Sequence, residues 1–570
     1  MADNKVNLWI DNKEIEVEKN TTILEAAKKA GKEIPTLCYL AEINEVGACR
    51  VCLVELEKSG KLVASCITPV EEGMKVKTNT LKVQKTRKLN LEFLLSNHEG
   101  DCPTCIKNDN CELRNLAEKM GIRDIRFEGK KVSYEFDDST PSLYRDPDKC
   151  ILCRRCLSVC HEVQGVKAIV PDGRGFETAV DPSFYDDLSE SPCVLCGQCS
   201  LVCPTGAITE KEYIADVWES LYDPQKHVIV QTAPAVRVAL SEAFDKNPGT
   251  IFTGQMVAAL RKLGFDKVFD TNFTADLTIM EEGTELIKRI ENDETLPLFT
   301  SCSPGWIKFL EHQYPEYIYN LSTCKSPQQM FGAVANSYYA EKNNIDPENL
   351  VVVSIMPCTA KKFEATREEM NGDVDYSLTT RELARMIKQA GIDVLNLHED
   401  DFDKIMGVST GAADIFGASG GVMEAALRTA YEIITGEELA EIDFKQLRGR
   451  KGIKTAEVEV ADMKLKVAVV NGLGNARILL ERMKKGEEYH FVEFMACPGG
   501  CIGGGGQPQA ASEEVLEKRM EALYKIDNSK KLRKSHENPY IKKLYEEYLN
   551  EPGSSKSHEL LHTHYVKRGI

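Results

Sequence analysis

The sequence predicts a multidomain fold, α+β through residue 211 and α/β from residue 222 to the end. Three observations predict it. At 570 residues the chain is longer than one hydrophobic core supports. Of its 20 cysteines, fifteen precede residue 204 and most of those stand in CxxC groups. From His227 onward short apolar runs alternate with helical patterns, the grammar of a largely parallel sheet with crossover helices.

Composition narrows the function. A formal charge of -18 argues against nucleic acid or an anionic membrane as partner; a basic docking surface on a redox protein suits it better. No apolar run approaches the roughly 20 residues of a spanning helix. The N-terminal Met-Ala-Asp-Asn-Lys lacks the apolar core of a secretory signal, so a cytoplasmic location is expected. Grouped cysteines in a reducing compartment point to metal binding rather than disulfides.

The first module spans residues 1–79. Runs 6–10 and 15–17 alternate around Asp11-Asn12-Lys13, a hairpin signal. Thr22 and Glu25 then read as a capping box opening a helix over 23–30, with Gly31 as its stop. Hairpin followed by helix resembles the β-grasp of plant-type ferredoxins. Cys38, Cys49, Cys52 and Cys66 supply the four thiolates of a [2Fe–2S] cluster, at wider spacing than the plant-type run. The second module, 80–122, begins with a helical period over 81–95 and continues as His98-x3-Cys102-x2-Cys105-x5-Cys111. A cubane needs four ligands and imidazole can be the fourth. Both modules resemble the iron–sulfur segments of hydrogenases and of the large electron-input subunit of respiratory complex I.

Residues 137–141 read as a linker into a third module, 139–211. There Cys150-x2-Cys153-x2-Cys156-x3-Cys160 is echoed by Cys193-x2-Cys196-x2-Cys199-x3-Cys203-Pro204. This is the bacterial two-cluster ferredoxin run, in which the fourth cysteine of each repeat serves the other cube. One [4Fe–4S] then takes Cys150, Cys153, Cys156 and Cys203; the other takes Cys160, Cys193, Cys196 and Cys199. The insertion 163–192 is expected to form loops or a hairpin.

In the fourth module, 222–570, strands are expected at 228–231, 268–270, 298–300, 350–355, 466–470 and 491–494. Helices are expected at 236–244, 256–263, 381–390 and 476–485. Cys302, Cys358 and Cys497 each fall just past a strand end, where ligands collect in α/β folds. The tail, 532–564, is charged and partly helical, and its histidines read as structural.

Fifteen cysteines are committed upstream, which leaves Cys302, Cys324, Cys358, Cys497 and Cys501. Three motifs hold four of them: Thr300-Ser-Cys302-Ser303-Pro-Gly-Trp306, Met356-Pro-Cys358-Thr-Ala-Lys361, and Cys497-Pro-Gly-Gly-Cys501 followed by Gly503–Gly506. Together they resemble the active-site signatures of [FeFe] hydrogenases. The resemblance implies an H-cluster: a [4Fe–4S] cubane sharing a cysteine sulfur with a two-iron subsite carrying CO, cyanide and a bridging dithiolate amine. It implies Cys501 as the bridging thiolate and Cys358 and Cys497 as ligands. It implies Lys361 as a cyanide partner, Gln328 and Pro234 as residues cupping the subsite, and Met356 and Met495 as its soft walls. A relay Arg289, Glu285, Ser322, Glu282, then a cysteine, is implied for protons.

The sequence departs from the commonest family pattern at Ser303, where many relatives carry a second cysteine. Thiolate suits iron–sulfur chemistry better than a serine alkoxide. Cys302 is therefore expected to keep the cubane, or to serve both neighbourhoods, with Ser303 a weak proton donor and Cys324 an alternative ligand. Ser303 and Ala235 are similar to the catalytic subunit of NAD(P)-linked, electron-bifurcating hydrogenases. That resemblance implies ferredoxin or flavoprotein NAD(P)H-oxidising partners and maturation proteins for the subsite. No flavin or nicotinamide fingerprint appears. The rival readings are a non-catalytic electron-input subunit, a sensory hydrogenase-like protein and an iron–sulfur assembly factor.

Overall fold

The computed structural model describes residues 5–128, 131–182, 184, 187–300, 302–439, 441–460, 463–510 and 512–569. Ser301 of the first late motif lies outside them.

Strands β1 (Lys5–Ile10) and β2 (Lys13–Glu18) form the expected hairpin, with Asp11 and Asn12 both left-handed (φ 48° and 70°). Asp and Asn tolerate that region, and two such residues match the right-handed twist of the strands. β3 (Leu53–Leu56), β4 (Leu62–Ala64) and β5 (Lys75–Lys77) complete a sheet of order β2-β1-β5-β3-β4. The helix Ile23–Lys29 packs on it through Ile23, Ala26 and Ala27. Only half of the capping box forms: Thr22 accepts from the Glu25 amide, while the Glu25 carboxylate accepts from the Tyr39 hydroxyl at 2.9 Å. The helix Leu81–Asn97 is tied to this sheet by Arg87, whose Nε donates to Leu53 O at 2.8 Å.

Residues 137–141 are not a linker. The Asp137 carboxylate accepts from the Ser139 and Leu188 amides and from Arg145, and its backbone pairs with Arg145. A carboxylate with that many donors is a fixed corner of the third module. That module carries β6 (Leu143–Arg145) paired with β9 (Ile208–Glu210). The insertion forms the hairpin β7 (Ile169–Asp172) and β8 (Ala179–Pro182).

The α/β region holds two four-stranded sheets. One is parallel throughout, in the order β11-β10-β13-β14, and comprises β10 (His227–Thr232), β11 (Lys267–Asp270), β13 (Leu350–Met356) and β14 (Tyr376–Thr379). The other runs β12-β17-β16-β15, from β12 (Leu298–Phe299), β17 (Phe491–Met495), β16 (Met463–Asn471) and β15 (Ile453–Val460), with β15 antiparallel. The sequence reading missed β14 and β15.

β13 is buried at every position, as a central parallel strand should be. Residues 236–244 do not form the expected helix. They run as turns and a single 3₁₀ stretch, Leu240–Phe244: the Arg237 carbonyl accepts from the Phe252 amide, outside the segment, and its buried guanidinium pairs with Asp270 and Asp414. Among the described residues no helix is long and apolar enough to cross a membrane.

Candidate metal centre

The third module holds two small cavities lined by its cysteines. One small cavity is lined by Cys150, Cys153, Cys156 and Cys203, and a second by Cys160, Cys193, Cys196 and Cys199. Each set takes three thiols from one repeat and one from the other. In the first module Cys38, Cys49, Cys52 and Cys66 are all buried, with the Cys52 and Cys66 sulfurs 3.3 Å apart. In the second, His98 is half-buried, its buried Nδ1 lacking a hydrogen-bond partner, and Cys102 and Cys105 lie close enough to perturb Cys111. Burial also lowers the His98 pKa, which favours the neutral, ligating form of the ring.

The modules are clasped together at these sites. Asn44 Nδ2 donates to Cys38 O and to Cys153 O, which joins the first module to the third. Gln198 donates to Gly503 O, and Thr359 to Leu195 O, which join the third module to the late motifs.

The late cysteines converge. Cys302, Cys358, Cys497 and Cys501 line one buried cavity of about 90 Å³, and Pro234, Ser303, Gln328, Met356, Lys361 and Met495 line it too. These residues follow the carboxyl ends of β10, β12, β13 and β17, so both sheets deliver loops to the same point. The glycines act as the late motif implied. A Cβ at Gly504 would stand 2.0 Å from Pro357 O, and one at Gly505 would stand 2.1 Å from Cys196 O. Only bare backbone brings the loops of Cys501, Cys358 and Cys196 this close.

The donor set fits an iron–sulfur cluster and not a single ion. A tetrahedral zinc at about 2.3 Å per sulfur needs its sulfurs roughly 3.8 Å apart. Among the described residues no three of these four cysteines bring their ligand atoms within 4.8 Å of one another. Burial raises the Cys302 and Cys497 thiols well above 9.0 and the Cys501 thiol to about 12. Such thiols ionise only against a bound cation. Cys196 lines both its own ferredoxin cavity and the central one.

Lys361 is buried beside the cavity, where its ammonium donates to Ser326 Oγ at 2.7 Å and Glu364 Oε2 at 2.8 Å. Gln328 donates to the same Glu364 oxygen at 3.0 Å and accepts from Ser354. The sequence reading missed Glu364 and Ser326. The clue to Glu364 was its place three residues after Lys361 on one helix. Cys324 is the alternative ligand that the structure removes: it lies outside this cavity, its Sγ 3.9 Å from Glu285 Oε2.

The carboxylate chain is assembled on the helix Thr271–Glu291. Arg289 Nη2 donates to Glu285 Oε1 at 2.6 Å, and Ser322 Oγ donates to Glu285 Oε2 at 2.8 Å. Ser322 is also a hydrogen-bond partner of Glu282, which in turn is an electrostatic neighbour of Cys302. The outer end, at Glu285 and Arg289, borders a surface pocket of about 580 Å³. Burial, reinforced by Glu285, pushes Glu282 up to about 8, so it carries a proton at neutral pH.

Glu281, one residue earlier, points elsewhere. It accepts from Tyr545, Gly553, Ser557 and His562, which hold it ionised and anchor the C-terminal segment. His562 Nε2 is thus committed to Glu281. The reading of 532–564 as a mere tail was incomplete.

Cluster-shaped thiol sites leading to a buried, thiol-lined terminus define an iron–sulfur oxidoreductase. Residues 226–505 match the iron only hydrogenase large subunit, C-terminal domain, and 513–568 match the iron hydrogenase small subunit. Residues 3–81 match a 2Fe-2S iron-sulfur cluster binding domain, 87–126 the NADH-ubiquinone oxidoreductase-G iron-sulfur binding region, and 149–207 a 4Fe-4S dicluster domain.

The chain is 52% identical to the NADP-reducing hydrogenase subunit HndD of Solidesulfovibrio fructosivorans, over 99% of both chains. It is 43% identical to iron hydrogenase 1 of Clostridium pasteurianum, over 98% of this chain and 99% of that one. A variant of apo [FeFe]-hydrogenase HydA1 from Chlamydomonas reinhardtii superposes with a TM-score of 0.57 at 45% identity, covering 63% of this chain and 100% of its own. The chain belongs to the iron-only, or [FeFe], hydrogenases, and it is an oxidoreductase acting on H2.

The state of Glu282 is directly measurable. Its folded pKa lies above the ordinary 4.5, so the neutral form is favoured by folding and that contribution is lost as pH rises towards 8. An infrared protonated-carboxyl band should persist at pH 7, titrate out near pH 8 and be missing in Glu282→Gln. Loss of the band by pH 6 would contradict the assignment.

Proposed function

We propose that the chain is the catalytic subunit of an NAD(P)H- or ferredoxin-coupled hydrogenase that interconverts 2 H⁺ + 2 e⁻ and H2. What supports this reading is one cavity lined both by Cys196 of the ferredoxin repeats and by Cys302, the thiol that has Glu282 as an electrostatic neighbour. The proposed complement is one [2Fe–2S] cluster, three accessory [4Fe–4S] clusters and an H-cluster. When bound, the two-iron subsite supplies a redox-active metal and a basic amine at which H2 is made or split.

The chain's own residues supply everything around it. Cys358, Cys497 and Cys501 are proposed as cubane ligands, Cys501 as the bridging one. Cys302 is proposed as the fourth ligand and the link from Glu282 to the cavity, while Ser303 accepts from the Ala496 amide at 3.4 Å. Lys361 presents an ammonium donor, Gln328 helps to hold Glu364 and the Lys361 backbone in place, and Pro234, Met356 and Met495 exclude water. Protons are handed from Arg289 and Glu285 through Ser322 to Glu282.

The partners proposed are a flavoprotein NAD(P)H-oxidising subunit or a ferredoxin, and maturation proteins for the subsite. The relative HndD is named as a subunit of an NADP-reducing hydrogenase, which favours the flavoprotein. A cytoplasmic location and the domain limits 1–79, 80–122, 139–211 and 222–570 complete the proposal.

Two experiments test it. Cys302→Ala should lose cubane iron and Ser303→Ala should keep it; loss confined to the Ser303 variant would reverse the assignment. The matured chain alone should oxidise H2 with a one-electron dye but reduce NADP⁺ only when a flavoprotein subunit is added. NADP⁺ reduction by the chain alone would contradict the proposed division of labour.

A further inference from the structure

Besides the cavity, a second constellation of ligating groups lies at the outer end of the carboxylate chain. Glu285, Cys324 and His562 bring one ligand atom each within 4.8 Å of one another. Glu285 comes from the long helix Thr271–Glu291, Cys324 from the segment after β12, and His562 from the C-terminal segment. Backbone bonds fix the last two opposite each other: Thr563 N donates to Thr323 O at 2.7 Å and Lys325 N to Leu561 O at 2.8 Å. Glu285 and His562 border the solvent-facing pocket of about 580 Å³, so a small cation has a path to them.

The histidine is prepared as a ligand. Its Nε2 pairs with the Glu281 carboxylate at 3.1 Å, and Glu281 is held ionised by its other donors. Nε2 therefore carries the ring proton, and Nδ1 is left as the acceptor, taking the Thr323 hydroxyl at 2.7 Å. A carboxylate fixing one ring nitrogen while the other faces a metal is the usual support for a ligating histidine. One imidazole, one thiolate and one carboxylate form a donor set suited to Zn²⁺, with solvent as the fourth ligand.

We propose that Glu285, Cys324 and His562 form a reversible binding site for a zinc-like divalent cation, which closes the proton path when filled. The second half of this statement rests on the relay proposed above; the first half does not. Binding displaces the Thr323 hydroxyl from Nδ1 and releases the Cys324 thiol proton to solvent. No electron is transferred. The filled site takes the Glu285 carboxylate that Ser322 and Arg289 now share, which removes the outermost proton acceptor of the chain.

The test uses matured holoenzyme, whose clusters occupy the other thiols, treated with zinc chloride and desalted with its iron content unchanged. One zinc per chain should be retained. Its X-ray absorption edge should show one sulfur at about 2.3 Å and nitrogen or oxygen neighbours at about 2.0–2.1 Å. H2 turnover should fall as zinc binds and return with a chelator.

His562→Gln keeps an N–H for Glu281, and Cys324→Ser keeps the shape of the thiol. Each should raise the half-inhibiting zinc concentration at least about tenfold relative to its own zinc-free rate. Zinc without a sulfur neighbour, or equal inhibition in both variants, overturns the site. Zinc bound with the predicted shell but unchanged turnover overturns its control of proton uptake and points to a path that avoids Glu285.

Discussion

Thiols are stable in an apolar cavity only while they are neutral, and they hold metal only when they are not. That conflict governs the catalytic half of this chain. Burial raises Cys302, Cys497 and Cys501 so far that only a bound cation can ionise them. The architecture therefore has to bring four thiols together around one volume while excluding the water that would otherwise solvate them. Parallel strands ending at one edge, and loops stripped to glycine at 504 and 505, accomplish both.

The surroundings of the cavity include a thiol set from the third module and a group of carboxylates on one long helix. Cys196 belongs at once to a ferredoxin-type set and to the cavity wall, so the accessory chain ends in contact with the site it serves. The helix sorts two adjacent carboxylates by environment. Glu281 receives four hydrogen bonds and stays ionised as an anchor, whereas Glu282 is desolvated beside Glu285 and keeps its proton. Residues next to each other on a helix face about 100° apart, which is why one can anchor the C-terminal segment and the other can turn towards Ser322 and Cys302. Lys361, by contrast, is a buried cation held by Glu364 and Ser326, positioned rather than mobile.

Much of this was legible in the residues because metal ligation imposes local spacing. The repeats at 150–160 and 193–203 group their thiols by spacing, the two cavities each take three thiols from one repeat and one from the other, and each of the three late motifs named its thiols. What was not legible depended on long-range contacts. β14 and β15 are short or amphipathic runs whose pairing only the folded sheet reveals. Residues 137–141 have a linker's composition, but Arg145 and the Leu188 amide fix Asp137 in place. Residues 236–244 carry a helical pattern, but the Arg237 carbonyl is taken by the distant Phe252 amide. Cys324 read as a candidate ligand by elimination; its place behind Glu285 follows from the C-terminal segment crossing over it. That segment itself read as a charged tail because its attachments, Tyr545, Ser557 and His562, meet a single carboxylate some 270 residues away.

The central claim is that four thiols delivered by separate loops enclose iron in one cavity beside Cys196. Iron-edge anomalous diffraction from crystals of the matured protein tests it most directly. The account predicts an iron cluster within the volume bounded by Cys302, Cys358, Cys497 and Cys501, distinct from the accessory clusters. A cavity holding only solvent or a lone zinc, with iron confined to the N-terminal modules, would contradict it.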